Sequence, residues 1–274
     1  MTGRKIPYYT VDAFTDTPFR GNPAAVCVDI DGLSDQAMAR NAGEMNLSET
    51  AFVYEEGDGG SRRLRWFTPA VEVPLCGHAT LASAHVLLRE RGAAGPVRFH
   101  SLSGPLTVHE EGDRLRLDFP ANPPVEGPMP DRLAEALRIA GAEAVFAASG
   151  KVALVALASE DEVLSARPDF GTLGRVVLPD GVMGVAVTAP GDDAGVDFVS
   201  RFFAPWVGVD EDPVTGVAHT TLTPWWSAVL GRREMEARQR SARGGALTVR
   251  ERGDRVELVG HAVTVAAGEM VRPR

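Results

Sequence analysis

The sequence predicts an α+β fold of two similar domains. Three observations carry this expectation: strand-like apolar runs outnumber helical patterns, one strand–loop–helix segment occurs twice, and a proline-rich stretch parts the two copies. The expected domains are 1–122 and 123–274, with the last strand of the chain a candidate to complete the first.

Taken in order, the first half offers strands at Tyr8–Phe14, Ala24–Val28, Thr50–Tyr54, Arg63–Phe67, Pro105–His109 and Leu115–Phe119, each a short apolar or alternating run. Two helices interrupt them. Ser34–Glu44 opens on a serine suited to cap the first turn, and Gly77–Arg91 sets Leu81, Ala84, His85 and Leu88 at helical spacing. Pro120, Pro123, Pro124, Pro128 and Pro130 then break every period, so this stretch reads as a linker. Pro130–Ala140 begins a helix with proline near its first turn. Further strands fall at Val152–Ala156, Gly184–Thr188, Val196–Phe203, Leu247–Arg250, Arg255–Leu258 and Ala262–Val265, and the Trp-containing apolar segment Gly216–Leu230 reads as a helix.

The repeat is the most informative of these features. Arg65-Trp66-Phe67-Thr68-Pro69-Ala70-Val71-Glu72-Val73 aligns without gaps on Arg201-Phe202-Phe203-Ala204-Pro205-Trp206-Val207-Gly208-Val209. After a three-residue insertion, Gly77-His78-Ala79 falls on Gly216-Val217-Ala218. Each copy thus ends in a glycine that opens a helix. The first N–H groups of a helix lack internal partners and sit at the positive end of its dipole, and glycine lets a ligand approach them closely. Domains that face each other would aim two such helix ends at one anionic molecule, so a carboxylate-bearing substrate in an interdomain cleft is expected.

Composition narrows the partners. The 274 residues carry 28 Lys and Arg against 37 Asp and Glu, a formal charge of −9. Nucleic acid and anionic membranes need clustered cations, so neither is expected as a partner. No secretory signal opens the chain and no apolar run approaches a membrane span, so a cytoplasmic protein is expected. Two cysteines, Cys27 and Cys76, cannot build a disulfide framework and fit a reducing compartment.

Few residues invite chemistry. Glu49, in Asn46-Leu47-Ser48-Glu49-Thr50, stands at the mouth of a strand, where partial desolvation would raise its pKa and let it shuttle a proton. Asn46 and Glu49 also have the spacing of a capping box, although a strand follows rather than a helix. His78 follows Gly77 at a helix start, which favours a neutral hydrogen-bonding imidazole. Asp212 precedes the second helix, a position that also suits a turn or cap residue. Cys76 adjoins Gly77, and a thiolate there would be stabilised by the helix end, but the matching segment Asp212–Thr220 has no cysteine to make a two-thiol racemase. Cys27 reads as a core residue. Cys76 and His78 alone are too few for zinc, so no metal is expected. Serine-hydrolase, Walker and GxGxxG motifs are missing. Arg243-Gly244-Gly245 is either an anion loop or a simple tight turn.

Taken together, several segments resemble the PhzF-like family, the phenazine-biosynthesis isomerase and its relatives. They are Val11-Asp12-Ala13-Phe14-Thr15 with Gly21-Asn22-Pro23-Ala24-Ala25-Val26, Asn46-Leu47-Ser48-Glu49-Thr50, and Phe67-Thr68-Pro69 with Glu72-Val73-Pro74-Leu75-Cys76-Gly77-His78-Ala79-Thr80. The second half adds Glu211-Asp212-Pro213-Val214-Thr215-Gly216 and Ser241-Ala242-Arg243-Gly244-Gly245, so the match spans nearly the whole chain in order.

The resemblance implies a diaminopimelate-epimerase-like fold: two similar domains, each a barrel-like mixed sheet around a central helix (from about Gly77 and Gly216), with the active site between them. It implies a homodimer that uses no metal or organic cofactor. The family's acid/base carboxylate falls on Glu49, with Ser48 beside it. Its active-site His and Asp fall on His78 and Asp212, and the amides of Gly77 and Gly216 line the pocket. The implied activity is isomerisation of a small carboxylated metabolite by proton transfer; the phenazine enzyme itself tautomerises trans-2,3-dihydro-3-hydroxyanthranilate. One position departs: where that enzyme has Ser after the second glycine, this chain has Val217, which removes one hydrogen bond from the pocket. Two alternatives stand beside this reading, a ligand-binding relative without turnover and a one-thiol epimerase using Cys76.

Overall fold

The computed structural model describes residues 5–55, 62–139 and 144–272. It divides into two units, Met1–Asp118 with Val259–Arg274, and Phe119–Leu258. The expected split at 122/123 thus moves to 118/119, and the end of the chain leaves the second unit. Pairing explains why: the last strand, Ala262–Val271, runs antiparallel to the first, from Lys5↔Val271 to Ala13↔Ala262.

The first unit contains β1 (Lys5–Ala13), β2 (Asn22–Val28), α1 (Asp35–Met45), β3 (Glu49–Glu55), β4 (Arg62–Phe67), β5 (Glu72–Val73), α2 (Gly77–His85), β6 (Val97–Ser101), β7 (Gly104–Glu111) and β8 (Arg114–Pro120). Its sheet is mixed, with β2 parallel to β3 and β4 parallel to β6, and antiparallel pairs elsewhere. Ser34 caps α1 as expected, its Oγ accepting from Ala37 N at 3.3 Å. Helix α2 is buried from His78 through Ala84 and packs against β1, β2, β3 and the last strand. Small side chains suit a helix surrounded by backbone, and a helix that is apolar all round belongs inside. Where a helix to Arg91 was expected, the path widens into a π turn over Val86–Glu90. A second core layer packs Met38 and Ala42 of α1 onto Phe52 and Phe67, whose rings meet edge to face at 5.6 Å.

The second unit repeats this order. It holds β9 (Val125–Glu126), α3 (Leu133–Leu137), β10 (Val145–Ala148), β11 (Val152–Ala156), α4 (Glu160–Ser165), α5 (Phe170–Leu173), β12 (Gly184–Pro190), β13 (Phe198–Ala204), β14 (Val209–Asp212), α6 (Gly216–Leu230), β15 (Glu234–Gln239), β16 (Gly245–Arg252) and the start of β17 (Arg255–Gly260); the last strand is β18. Parallel pairs β11/β12 and β13/β15 stand where the first unit has β2/β3 and β4/β6. The predicted helix Pro130–Ala140 shrinks to α3 because Arg132 and Arg138 adopt left-handed backbone at its two ends; Ala140 lies outside the described residues.

The proline-rich stretch is docked, not a free linker. Pro224 lies inside α6 and has no N–H to give to Thr220 O, four residues back. Asn122 supplies that bond at 3.0 Å and adds an amide bond to Thr220 Oγ1 at 2.8 Å. Residues 125–126 also pair with β10.

The repeat holds, with its insertion relocated. Phe67 pairs with Glu72 and Phe203 with Glu211, so Glu72 corresponds to Glu211, not to Gly208. The three extra residues lie in the turn before β14, which includes the 3-10 segment Pro205–Val207. In both copies an arginine forks onto this glutamate: Arg65 on Glu72 at 2.7 and 2.7 Å, Arg201 on Glu211 at 2.7 and 2.9 Å. Each guanidinium also covers a phenylalanine, Phe67 at 5.2 Å and Phe203 at 4.9 Å.

Candidate active site

The turn that delivers Glu49 is built by the end of α1. Asn46 closes that helix in left-handed conformation (φ 50°, ψ 36°), its N–H bonded to Ala42 O at 3.1 Å. The capping-box reading therefore fails, since Asn46 ends a helix and opens none. Ser48 and Glu49 follow, and Glu49 starts β3 level with Ala24 of parallel β2. Asn22 opens β2, and the helix start Cys76-Gly77-His78 comes from the loop after β5.

These elements bring five polar side chains together. His78 Nε2 lies 3.3 Å from Glu49 Oε2 and 3.4 Å from Ser48 Oγ. On the other edge of the ring, Nδ1 lies 3.3 Å from Asn22 Nδ2 and 3.5 Å from Cys76 Sγ. With the Asn22 amide N–H₂ facing Nδ1, the matching tautomer carries its proton on Nε2, toward the Glu49 carboxylate. The Glu49 side chain keeps 19% of its exposure and His78 only 6%, so the carboxyl still has an open side. Burial pushes the Glu49 pKa above its ordinary value, and hydrogen bonds from Ser48 and Cys76 pull it partly back.

One donor atom each from Glu49, Cys76 and His78 lies within 4.8 Å of the other two. The expectation against metal counted only Cys76 and His78; the fold adds a third donor that is distant in sequence. Cys27, by contrast, is fully buried in β2 and its thiol is pushed up to about 12.

At the second helix start, Asp212 ends β14 and its Oδ2 accepts from Thr215 Oγ1 at 2.5 Å. Gln239 of β15, fully buried, holds this loop at three points. Its Oε1 accepts from Thr215 N at 2.9 Å, and its Nε2 donates to Asp212 O at 2.7 Å and Thr215 Oγ1 at 3.1 Å. Ser241 adds a bond to Pro213 O at 2.8 Å and accepts from Gly244 N at 3.0 Å, with Gly244 at φ 67°. The Arg243-Gly244-Gly245 segment is thus a turn tied to the Asp212 loop.

Neither Cys76 nor Thr215 caps its helix through a side chain, whereas Ser34, Ser159 and Asp169 cap α1, α4 and α5. Uncapped first-turn N–H groups are where a helix receives an anion. The structure therefore gathers Ser48, Glu49, Gly77 and His78 in the first unit, and Asp212, Gly216 and Val217 at one loop of the second. Sequence reasoning gave no role to Asn22 or Gln239. Asn22 could have been noticed as a polar residue starting an otherwise apolar strand, and Gln239 as the third inward position of an alternating run.

The sequence matches the phenazine biosynthesis-like protein family over residues 11–268. An uncharacterized isomerase of Pseudomonas aeruginosa is 49% identical, over 97% of this chain and 98% of its own length. The crystal structure of a PhzF-family phenazine biosynthesis protein from Enterococcus faecalis superposes with a TM-score of 0.91 at 42% identity, covering 97% of this chain and 99% of that one. A hydroxyproline epimerase from Agrobacterium vitis shares the fold alone, with a TM-score of 0.62 at 13% identity over 97% and 92% of the two chains. The fold is accordingly diaminopimelate-epimerase-like, and the chain belongs to the phenazine biosynthesis-like, or PhzF, protein family.

Proposed function

We propose that this protein is an isomerase that moves a proton between two carbons of a small carboxylated metabolite, with Glu49 as the general acid/base. The observation that carries this reading is a largely buried carboxyl whose pKa is raised by burial and which faces His78 Nε2 at 3.3 Å. A carboxyl lifted toward neutrality accepts a proton from an activated C–H bond and still returns it to a second carbon. His78, with its proton on Nε2, holds the carboxylate in place, and Ser48 supplies a further hydroxyl. The uncapped first turn at Gly77 offers N–H groups to the substrate's carboxylate. In the second unit, Asp212, Gly216 and Val217 are assigned to substrate handling on the family resemblance. Val217 presents an apolar branch where the phenazine isomerase has a hydroxyl, and an unpaired polar group in a dry pocket costs about 1–3 kcal/mol. The native substrate is therefore expected to differ from the phenazine precursor.

The test is NMR of candidate substrates in D₂O, beginning with trans-2,3-dihydro-3-hydroxyanthranilate. Isomerisation by the wild-type protein that disappears in Glu49→Gln supports the reading; turnover that persists in Glu49→Gln sinks it. If Val217 sets the preference, Val217→Ser raises turnover of that compound and does not help the native substrate. A second reading, a one-thiol epimerase, draws on Cys76 Sγ at 3.5 Å from His78 Nδ1. It requires Cys76→Ala to stop turnover as completely as Glu49→Gln does.

A further inference from the structure

The Glu49–Cys76–His78 cluster has a chemistry that proton transfer does not use. We propose that it is also a site for a thiophilic divalent cation, and that Zn²⁺ bound there silences the isomerase. The inhibitory half rests on the reading of Glu49 as the base; the binding half does not. The three residues offer one carboxylate oxygen, one thiolate sulfur and one imidazole nitrogen, all within 4.8 Å of one another. Tetrahedral zinc, with bonds of about 2.0–2.3 Å, wants such donors about 3.3–3.8 Å apart, and leaves its fourth position to water when the protein supplies three ligands. His78 reaches Glu49 Oε2 at 3.3 Å through Nε2 and Cys76 Sγ at 3.5 Å through Nδ1, so the donors are gathered around one imidazole, and an ion would draw them from within 4.8 Å onto a single ring nitrogen.

The donor set selects the ion. Sulfur and imidazole favour Zn²⁺ over Mg²⁺ or Ca²⁺, which take oxygen. Two backbone anchors place the donors before any ion arrives: the αL turn at Asn46 for Glu49, and the start of α2 for Cys76 and His78. Binding releases the Cys76 thiol proton to solvent and ties up the Glu49 oxygen that would otherwise take the substrate's proton. The cation and the substrate proton therefore compete for the same atom.

Co²⁺ titration of the metal-stripped full-length protein tests the site without reference to activity. The expected result is a one-to-one complex with a near-ultraviolet thiolate-to-Co²⁺ band, displaced by Zn²⁺. The band should survive in Cys27→Ser, disappear in Cys76→Ser, and require about tenfold or more Co²⁺ in Glu49→Gln. No thiolate band, or a band that persists in Cys76→Ser, overturns the site; circular dichroism on each variant shows that it is folded. Reversible loss of turnover in Zn²⁺, restored by a chelator, is expected in the isomerase assay, and full turnover with the Co²⁺ site saturated by Zn²⁺ overturns the inhibition. If no isomerase activity exists at all, the Co²⁺ band still stands or falls by itself.

Discussion

The two units share one frame and differ in what they hang on it. Phe67 and Phe203 are equivalent, and their strand partners are Thr50 and Val185. Glu49 therefore corresponds to Gly184. A Cβ on Gly184 would stand 2.5 Å from Phe202 Cζ and 2.8 Å from Phe203 O, so the second unit has no room for a side chain where the first carries its carboxyl. At the helix starts, Cys76 matches Thr215 and His78 matches Val217, while the Arg–Glu forks and the uncapped glycine turns are kept. The frame that presents backbone amides recurs in both units, whereas the carboxyl and the imidazole stand in one. Four residues into each helix the contrast continues: Thr80 Oγ1 bonds Cys76 O at 2.5 Å, and His219 Nδ1 bonds Thr215 O at 2.8 Å.

This asymmetry can be broken in graded steps. The largest effect belongs to Glu49→Gln, which should lower kcat/KM by about 10²–10⁴-fold in a steady-state isomerase assay, the usual range for a lost general acid/base. Next is His219, buried with Nε2 lacking a hydrogen-bond partner among the described residues and with its pKa pushed down to about 4 by desolvation. The unfolded chain protonates it near 6.5, so the stability gained by keeping it neutral is whole above that pH and is lost as pH falls toward 4. The loss amounts to up to about 3 kcal/mol. Urea unfolding between pH 7 and 4 should show this slope, and His219→Thr, which copies Thr80, should flatten it. Gly184→Ala should cost about 1–3 kcal/mol by overpacking, read as a lower urea midpoint. The smallest effect is a gain: with its pKa raised, ionised Glu49 opposes folding at neutral pH. Glu49→Gln should therefore raise Tm at pH 7, and the gain should vanish as pH drops below the ordinary carboxylate value, 4.5.

Much of this was legible before the structure, where apolar periodicity was strong. Strand Val152–Ala156 and helix Gly216–Leu230 have the bounds their residues announce. β15 escaped notice because only Met235 and Ala237 of its inward row are apolar; the third is Gln239, which is inside to hold the Asp212 loop. β6 alternates well, with Val97, Phe99 and Ser101 inward, but is short and flanked by turns. Helix α4 carried a signal that was passed over: Ser159 three residues before Glu162, with Ser159 Oγ accepting from Glu162 N at 3.3 Å. At the site, Glu49, His78 and Ser48 were visible as a pattern, but the closeness of Glu49 to Cys76 and His78 was not, because they meet only when β3 and the α2 loop are folded against each other. Local spacing cannot report a contact between elements that lie far apart in the chain.

The pairing of β18 with β1 also orders the making of the molecule. A ribosome completes residues 119–258 before it delivers 262–271, so the second unit has all of its own strands in hand while the first still waits for one of its own. The unit that holds Glu49 and His78 is thus begun first and finished last. A nascent chain stopped short of β18 would carry every chemical group of the site on a sheet with an open edge at β1, a form exposed to mispairing until its closing strand arrives.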